Sequence, residues 1–182
     1  TVVRQGEEIV VPPGGDVQAA LDRARPGDTV RLLVANYRVR SLRLKPQVRL
    51  VGASSSHDGT GIVTEMGVLG ASHATLEGLR IESAFRFVPG LLRLEGVSEM
   101  RVRDVWITET IGLALQMRDS ERNHFDHVRL QPVGPRGLVG GLALELTHAG
   151  QNHFRNMVIE GEVRLADSSA NVFHRTIVRT RT

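Results

Sequence analysis

The sequence predicts an all-β protein that folds as a right-handed parallel β-helix of about six or seven coils, with one short helix capping its N-terminal end. Three observations carry this prediction: a motif that recurs along the chain, a second apolar pair before most copies, and alternation of apolar and polar residues within each copy. A repeat of roughly 20–30 residues built from strand-like pieces indicates a solenoid, because one copy buries its apolar face only against the next.

The recurring motif is eight residues long and begins at five positions. Three copies start with Asn123, Asn152 and Asn171, and two copies without the asparagine start at Ala74 and Met100. The starts are 19 to 29 residues apart. Strands of constant length joined by turns of variable length explain this spread, and residues 132–137 are interpreted as an insertion in one turn.

A second apolar pair lies eight residues before each of the last four copies. The pairs are Leu92/Leu94, Leu115/Met117, Leu144/Leu146 and Val163/Leu165. Apolar and polar residues alternate within these segments, which is the period of a strand with one buried face. We therefore expect each coil to contain a strand, a turn, an Asn-led strand, a one-residue bend and a third strand.

The N-terminal segment differs from the coils. Residues 9–11 predict a lead-in strand, and Asp16 is the expected N-cap of an amphipathic helix over 17–25 that ends at Pro26. The predicted organisation is one domain over 1–182, with the lead-in strand and capping helix in 1–28 and the coils in 29–182. Within the coils, Ser54–Thr60 is interpreted as a mobile loop with its polar side chains in solvent.

The amino-acid composition excludes some kinds of site and argues against some kinds of partner. The chain has no cysteine, which excludes disulfides and thiolate metal sites. A net charge of +3 is a weak signal, so no nucleic-acid partner is predicted. No apolar run approaches the length of a membrane span. Thr1 is not an initiator methionine, which is compatible with removal of an upstream segment and with a secreted or cell-surface location.

The first coils carry the most specific pattern. The pattern is a series of four segments in a fixed order. A capping-helix segment that ends in Pro-Gly-Asp-Thr-Val (16–30) is followed by Asn-Tyr (in 36–39), Leu-Arg-Leu (in 42–46) and Leu-Val-Gly (in 48–52). This order resembles the opening of pectin-lyase-like β-helix proteins. The resemblance covers about a fifth of the chain, and the Asn-led repeats extend it to most of the rest. It implies that the helix caps the open end of the coil, where strand edges and core are otherwise exposed.

Alignment of the copies predicts columns of side chains about 4.8 Å apart. The phenylalanines at 125, 154 and 173 fall in an inner column, and the asparagines are expected to bond to one another at a turn. The outward columns hold the densest group of titratable residues. From it we take the candidate catalytic residues His124, Asp126, His127, His153, Arg155 and Arg103, with His174 beside them.

Each of the functional interpretations of these outward columns has a structural alternative. The column Glu77, Arg103, Asp126, Arg155 alternates in sign, so these residues are also expected to pair across coils. A further column supplies the candidate substrate-binding residues Trp106, Arg80 and Arg129. Its indole is either an exposed platform for a sugar or the partner of a cation–π contact.

The preferred function is a non-catalytic β-helix module, either carbohydrate-binding or structural. The alternative is a secreted lyase, epimerase or hydrolase-like enzyme acting on acidic polysaccharide. Elimination needs a base and a neutralised carboxylate, for which His, Arg and Ca²⁺ could serve. Hydrolysis needs two carboxylates, and Asp104 and Asp126 are the nearest pair. An enzyme is expected to carry a groove lined by His124, His127 and His153.

The resemblance itself favours the module. Pectate lyases carry a Val-Trp-Ile-Asp-His strand, whereas this chain has Val105-Trp-Ile-Thr108. The motifs of the polygalacturonases, alginate epimerases and chondroitinase B-like lyases are not found either. No cofactor or metal site is predicted, although Ca²⁺ use stays open. Polysaccharide is the expected partner, and the uncapped final residues predict a homo-oligomer or continuation of the coil in another domain.

Overall fold

Parallel strands wind into a β-solenoid of about seven turns. The architecture comes from a computed structural model, which describes residues 6–84, 90–108, 110–133 and 141–180. The chain is mostly β, with one short helix near its N-terminus. The predicted fold class, a right-handed parallel β-helix, is confirmed.

The described residues form eighteen strands and one helix. In chain order they are β1 (Glu8–Val11), α1 (Val17–Arg23), β2 (Thr29–Leu32), β3 (Asn36–Val39), β4 (Leu42–Arg43), β5 (Arg49–Val51), β6 (Gly61–Thr64), β7 (Val68–Leu69), β8 (Thr75–Ser83), β9 (Leu92–Glu95), β10 (Arg101–Thr108), β11 (Leu115–Arg118), β12 (His124–Gln131), β13 (Leu142–Thr147), β14 (His153–Arg155), β15 (Val158–Glu160), β16 (Glu162–Ala166), β17 (Val172–His174) and β18 (Ile177–Arg179).

Two parallel sheets enclose the core. The larger sheet has twelve strands in the main order β1-β2-β5-β8-β10-β12-β14-β17, and β3, β6, β15 and β18 pair beside this path. The smaller sheet has the order β16-β13-β11-β9-β7-β4. The second apolar pairs of the repeat lie in this smaller sheet, in register from Leu92 to Leu115 and Leu144. Within the described part of the chain, no helix is both long and apolar enough to cross a membrane.

Each coil turns a corner at a single residue of the larger sheet. Five stacked residues have φ between 48° and 66°, in the left-handed region: Gly78, Asp104, His127, Asn156 and Arg175. This region suits glycine and is tolerated by asparagine and aspartate, since a Cβ atom is crowded there. The one-residue bend of the repeat is therefore confirmed in these coils.

The predicted inner columns match the strand register. Val102 lies opposite Leu76 and Phe125, and Phe125 lies opposite Phe154. The rings of Phe125 and Phe154 stack with their centroids 5.0 Å apart, and Phe173 follows at 4.6 Å. Phe125, Phe154 and many buried valine, leucine and isoleucine side chains make up the core, whereas Phe173 in the last coil is exposed.

The three asparagines that begin repeat copies are joined by amide hydrogen bonds. Asn123 Nδ2 donates to Asn152 Oδ1 at 3.0 Å, and Asn152 Nδ2 donates to Asn171 Oδ1 at 3.0 Å. Each amide oxygen also accepts a backbone N–H from the preceding coil, such as Met100 N at 2.9 Å from Asn123 Oδ1. The side chains thus satisfy buried backbone groups where the chain leaves one sheet for the next.

The capping helix is shorter than predicted. It ends at Arg23 rather than at residue 25, because Ala24 already has extended ψ (145°) and a proline follows Arg25. Asp16 is the N-cap, and its carboxylate accepts the Ala19 N–H at 2.9 Å, as predicted. Val17, Ala20 and Leu21 are buried. The opposite end of the solenoid is more open, with exposed Leu165, Val172, Phe173, Ile177 and Val178.

The repeat copies that begin at Asn123 and Asn152 are separated by the longest interval between successive copies, which contains the insertion predicted at residues 132–137. Pro132 and Val133 are described, and Val133 N donates to Thr110 O at 2.7 Å. Residues 134–140 lie outside the described residues.

Candidate functional site

A groove of about 560 Å³ lies on the outer surface along one edge of the larger sheet. It is lined by eight residues: His73, Thr75, Glu99, Arg101, Arg122, His124, Gln151 and His153. Four of them belong to one strand column, because the register pairs Thr75 with Arg101, Arg101 with His124 and His124 with His153. The groove therefore crosses four successive coils.

The other four lining residues form a second column at the corner before each strand. His73, Glu99, Arg122 and Gln151 each precede a residue of the first column by two positions, and their φ values lie between 54° and 60°. This shared left-handed corner repeats in each coil, so that the corner side chains form a stack parallel to the strand column. Together the two columns form the walls of the groove.

The most ordered feature of the groove is a pair of stacked imidazoles. The rings of His124 and His153 lie 5.1 Å apart between centroids, at an interplanar angle of 15°. Both side chains are exposed. Partial desolvation lowers the pKa of His124, the neighbouring His153 and Arg101 lower it further, and Glu99 opposes them. His124 is consequently held towards its neutral form near neutral pH.

Arg101 is the cation of the groove that has no counter-ion in the described part of the chain. Glu99 lies 3.3 Å from His73 and 3.8 Å from Arg122, while Arg122 also pairs with Glu121. No such pair engages Arg101, which is exposed next to His124. A guanidinium with free donors is a binding group for carboxylate or sulfate oxygens.

A second groove of about 560 Å³ shares the two imidazoles with the first. Its lining residues are His124, Phe125, Asp126, His153, Phe154, Arg155, Val172 and His174. Most of the candidate residues of the sequence therefore come together on this surface. Two candidates do not line it: Arg103 lies one coil away opposite Asp126, and His127 lies at the bend.

The carboxylates of this surface are engaged. Glu77 accepts from Arg49 at 3.3 Å and lies 4.0 Å from Arg103, so this part of the alternating column does pair across coils. Asp126 accepts from Asn156 Nδ2 at 2.8 Å and lies 3.1 Å from His127 Nδ1.

Asp104 and Asp126, the carboxylates that the sequence offers for hydrolysis, lie respectively at the bend of β10 and on β12 opposite Arg103. Desolvation alone raises the pKa of Asp126, but Asn156, His127 and Arg155 outweigh it, and the pKa is lowered. Asp126 is therefore held ionised. Asp104 accepts from Ser55 Oγ at 2.8 Å. A hydrolase needs one such carboxyl group to stay protonated as the general acid, and the environment of Asp126 opposes that.

Trp106 and Arg129 form a cation–π contact. Cζ of Arg129 lies 5.2 Å from the centroid of the indole, and the same guanidinium donates to Glu160 at 3.1 Å. The indole Nε1 is buried and has no hydrogen-bond partner among the described residues, and the side chain is half-buried. Of the two interpretations of Trp106, the structure therefore contains the cation–π contact with Arg129.

Arg80 does not lie on the surface with Trp106 and Arg129, so the predicted outward position of its side chain is wrong. The side chain is buried and pairs with Glu82. Its guanidinium also donates to the carbonyl oxygens of Ser56 and His57 at 2.8 and 2.7 Å and to Asn36 Oδ1 at 3.1 Å. An outward strand position became buried because the loop Ser54–Thr60 folds over it. Instead of a free excursion, this loop is anchored by several hydrogen bonds.

Sequence reasoning missed the corner residues and the exposed, unpaired state of Arg101 among the described residues. Each repeat copy was taken to start at the asparagine position, so the residue two places before the strand fell outside the alignment. The available signal was the polar run before each copy, such as Glu99, Arg122 and Gln151. In the described part of the chain, no group of three or more His, Asp or Glu side chains is arranged to hold a metal ion.

Comparison with known proteins supports the fold. No protein-family model matches the chain, and no curated protein matches its sequence. A crystal structure from Parabacteroides merdae, described as a "putative glycosyl hydrolase", is similar with a TM-score of 0.70 at 15% identity, covering 89% of this chain and 88% of that one. An alginate lyase of the PL6 family aligns with a TM-score of 0.43 at 12% identity, covering 97% of this chain and 38% of the lyase.

Proposed function

We propose that this protein is a non-catalytic β-helix module that binds polysaccharide along the groove walled by His73, Glu99, Arg101, His124 and His153. The observation that carries the proposal is the exposed guanidinium of Arg101 beside the stacked imidazoles, in an open groove that crosses four coils. With strands about 4.8 Å apart, four coils span roughly 14 Å, which suits an extended chain of sugars.

The chemistry of the groove favours binding. Flat imidazole faces pack against the apolar face of a sugar ring, while Arg101 donates to an acidic substituent. The carboxylates nearby are engaged by Asn156, His127, Arg49 and Ser55, so they are poorly placed to act as a free acid and base. The similarity to a protein described as a "putative glycosyl hydrolase" supports carbohydrate as the ligand class.

The alternative function is a lyase acting on acidic polysaccharide. One observation favours it: His124 is held towards the neutral form and lies beside Arg101. A neutral imidazole is a base, and a guanidinium neutralises the carboxylate of a uronate, which are two requirements of elimination. A secreted or cell-surface location belongs to both proposals, because polysaccharides of this kind lie outside the cell.

Replacing Arg101 tests the binding proposal. The change Arg101→Gln is expected to weaken binding of an oligogalacturonate by about ten- to a hundredfold, because it removes a charge-assisted hydrogen bond worth roughly 1.5–3 kcal/mol. Isothermal titration calorimetry measures the dissociation constant. Arg118→Gln, an exposed arginine at the end of β11 in the smaller sheet, is the matched control and should bind like the unmodified protein. Equal affinities for all three proteins would contradict the proposed site.

A further inference from the structure

We propose that anion binding in the groove is coupled to uptake of a proton by the stacked His124–His153 pair, so that the groove holds an acidic glycan more tightly in mildly acidic than in neutral solution. This inference rests on the proposed function, since it concerns the same groove. It adds a pH dependence that binding through Arg101 alone would not have.

The geometry brings three ionisable side chains, those of Arg101, His124 and His153, next to one another in one wall of the groove. The register sets Arg101 next to His124 and His124 next to His153, and the two imidazoles stack at 5.1 Å. The strand on the far side of His153 contributes Val172, which carries no charge. An anion that bridges Arg101 and the imidazole pair therefore approaches positive charge on one side and two titratable rings on the other.

Among the described residues, the remaining charges around the pair do not supply a free counter-ion. Glu99 faces His124 from the corner before β10 but is paired with His73 and Arg122. Asp126, two residues after His124 on the same strand, is engaged by Asn156 and His127. Arg103 and Arg155 occupy the adjacent column and are positive. In the free protein a proton on the pair is thus poorly compensated, and a bound anion provides the missing negative charge.

The sign of the effect follows from this balance. The pKa of a histidine is ordinarily about 6.5. In the free protein, desolvation lowers the pKa of His124, and His153 and Arg101 lower it further. A bound anion favours the charged imidazolium and raises the pKa of His124 above its value in the free protein. Between the two values, binding takes up a proton, so affinity rises as pH falls through this window and levels off below it. Uronate carboxylates, with pKa values near 4, stay ionised throughout.

Calorimetry on the intact protein at pH 5.5 and 7.5 tests the coupling, with three oligosaccharides of equal length: an oligogalacturonate, a sulfated galactan and a neutral galactan. Affinity for the oligogalacturonate is expected to be about five- to tenfold higher at pH 5.5, within the limit of tenfold per pH unit set by uptake of one proton. Repeating the titration in buffers of different ionisation enthalpy should show net proton uptake. Tighter binding of the sulfated galactan at pH 5.5 would give the same coupling with a sulfate as the anion.

The variant His124→Asn/His153→Asn should bind more weakly, because it removes the imidazole faces, and the binding that remains through Arg101 should lose the pH dependence and the proton uptake. The matched control, His57→Asn, changes an exposed histidine of the 54–60 loop and should keep both. Equal affinity of the unmodified protein at the two pH values would overturn the coupling and leave the proposed function intact. A pH dependence that survives in the double variant would also overturn it. Failure of all three glycans to bind would overturn the proposed function and the coupling together.

Discussion

Replacing Phe154 with alanine is expected to lower the free energy of unfolding by about 3–5 kcal/mol, the usual cost of a large cavity in a packed core. Phe154 is fully buried between two other rings, with centroid distances of 5.0 Å to Phe125 and 4.6 Å to Phe173. The variant Phe154→Ala removes both contacts and opens space between adjacent coils. Urea denaturation followed by far-UV circular dichroism measures the change.

Phe173→Ala is the matched control for this loss. It removes the same side chain from the same column one coil later, where Phe173 is 38% exposed. Because its alanine variant leaves little enclosed space, the expected cost is about 1 kcal/mol. Similar losses for the two variants would mean that the last coil is buried as deeply as the interior, for example by another chain.

Replacing Asn123 with alanine is expected to cost about 3 kcal/mol, because buried backbone groups lose their partners. The amide oxygen of Asn123 accepts from Met100 N at 2.9 Å, and its Nδ2 donates to Val97 O at 2.9 Å. It also donates to the side chain of Asn152. After Asn123→Ala, water cannot easily replace these bonds at a fully buried corner. Urea denaturation of the purified variant gives the value.

Asn171→Ala is the comparison for this second variant. Asn171 makes the equivalent bonds to Ala149 O and to Asn152, but its corner is only partly buried. Solvent can compensate some of these groups, so a loss of about 1 kcal/mol is expected. If Asn123→Ala costs no more than Asn171→Ala, the buried amide bonds do not determine the stability of the corner.

The fold could be predicted because the solenoid repeats one local rule. Each copy alternates apolar and polar residues, and stacking aligns the same position of successive copies, so five imperfect copies sufficed to predict the columns through Phe125, Phe154 and Phe173. The bend was predicted from the interruption of that alternation. The helix boundary was less accurate, since Ala24 fits the apolar face of the helix while Pro26 limits the backbone before it.

The candidate site was only partly predictable. The stacking of His124 on His153 followed from the alignment, because parallel strands place equivalent residues side by side. The burial of Arg80 did not, since it depends on where the loop Ser54–Thr60 folds, and loops carry no repeating pattern. Nor could the sequence show that Arg101 lacks a counter-ion, which depends on how Glu99 is shared between His73 and Arg122.

The most direct test of binding without catalysis is a single assay on oligogalacturonate, alginate and sulfated galactan, with and without Ca²⁺. The assay follows both unsaturated-uronate absorbance and reducing ends over time, at protein concentrations that give saturable binding. A non-catalytic module is expected to bind at least one of these glycans while both signals stay flat. A signal that rises with the unmodified protein and disappears with His124→Ala would contradict the account and establish an enzyme in which His124 is a candidate base.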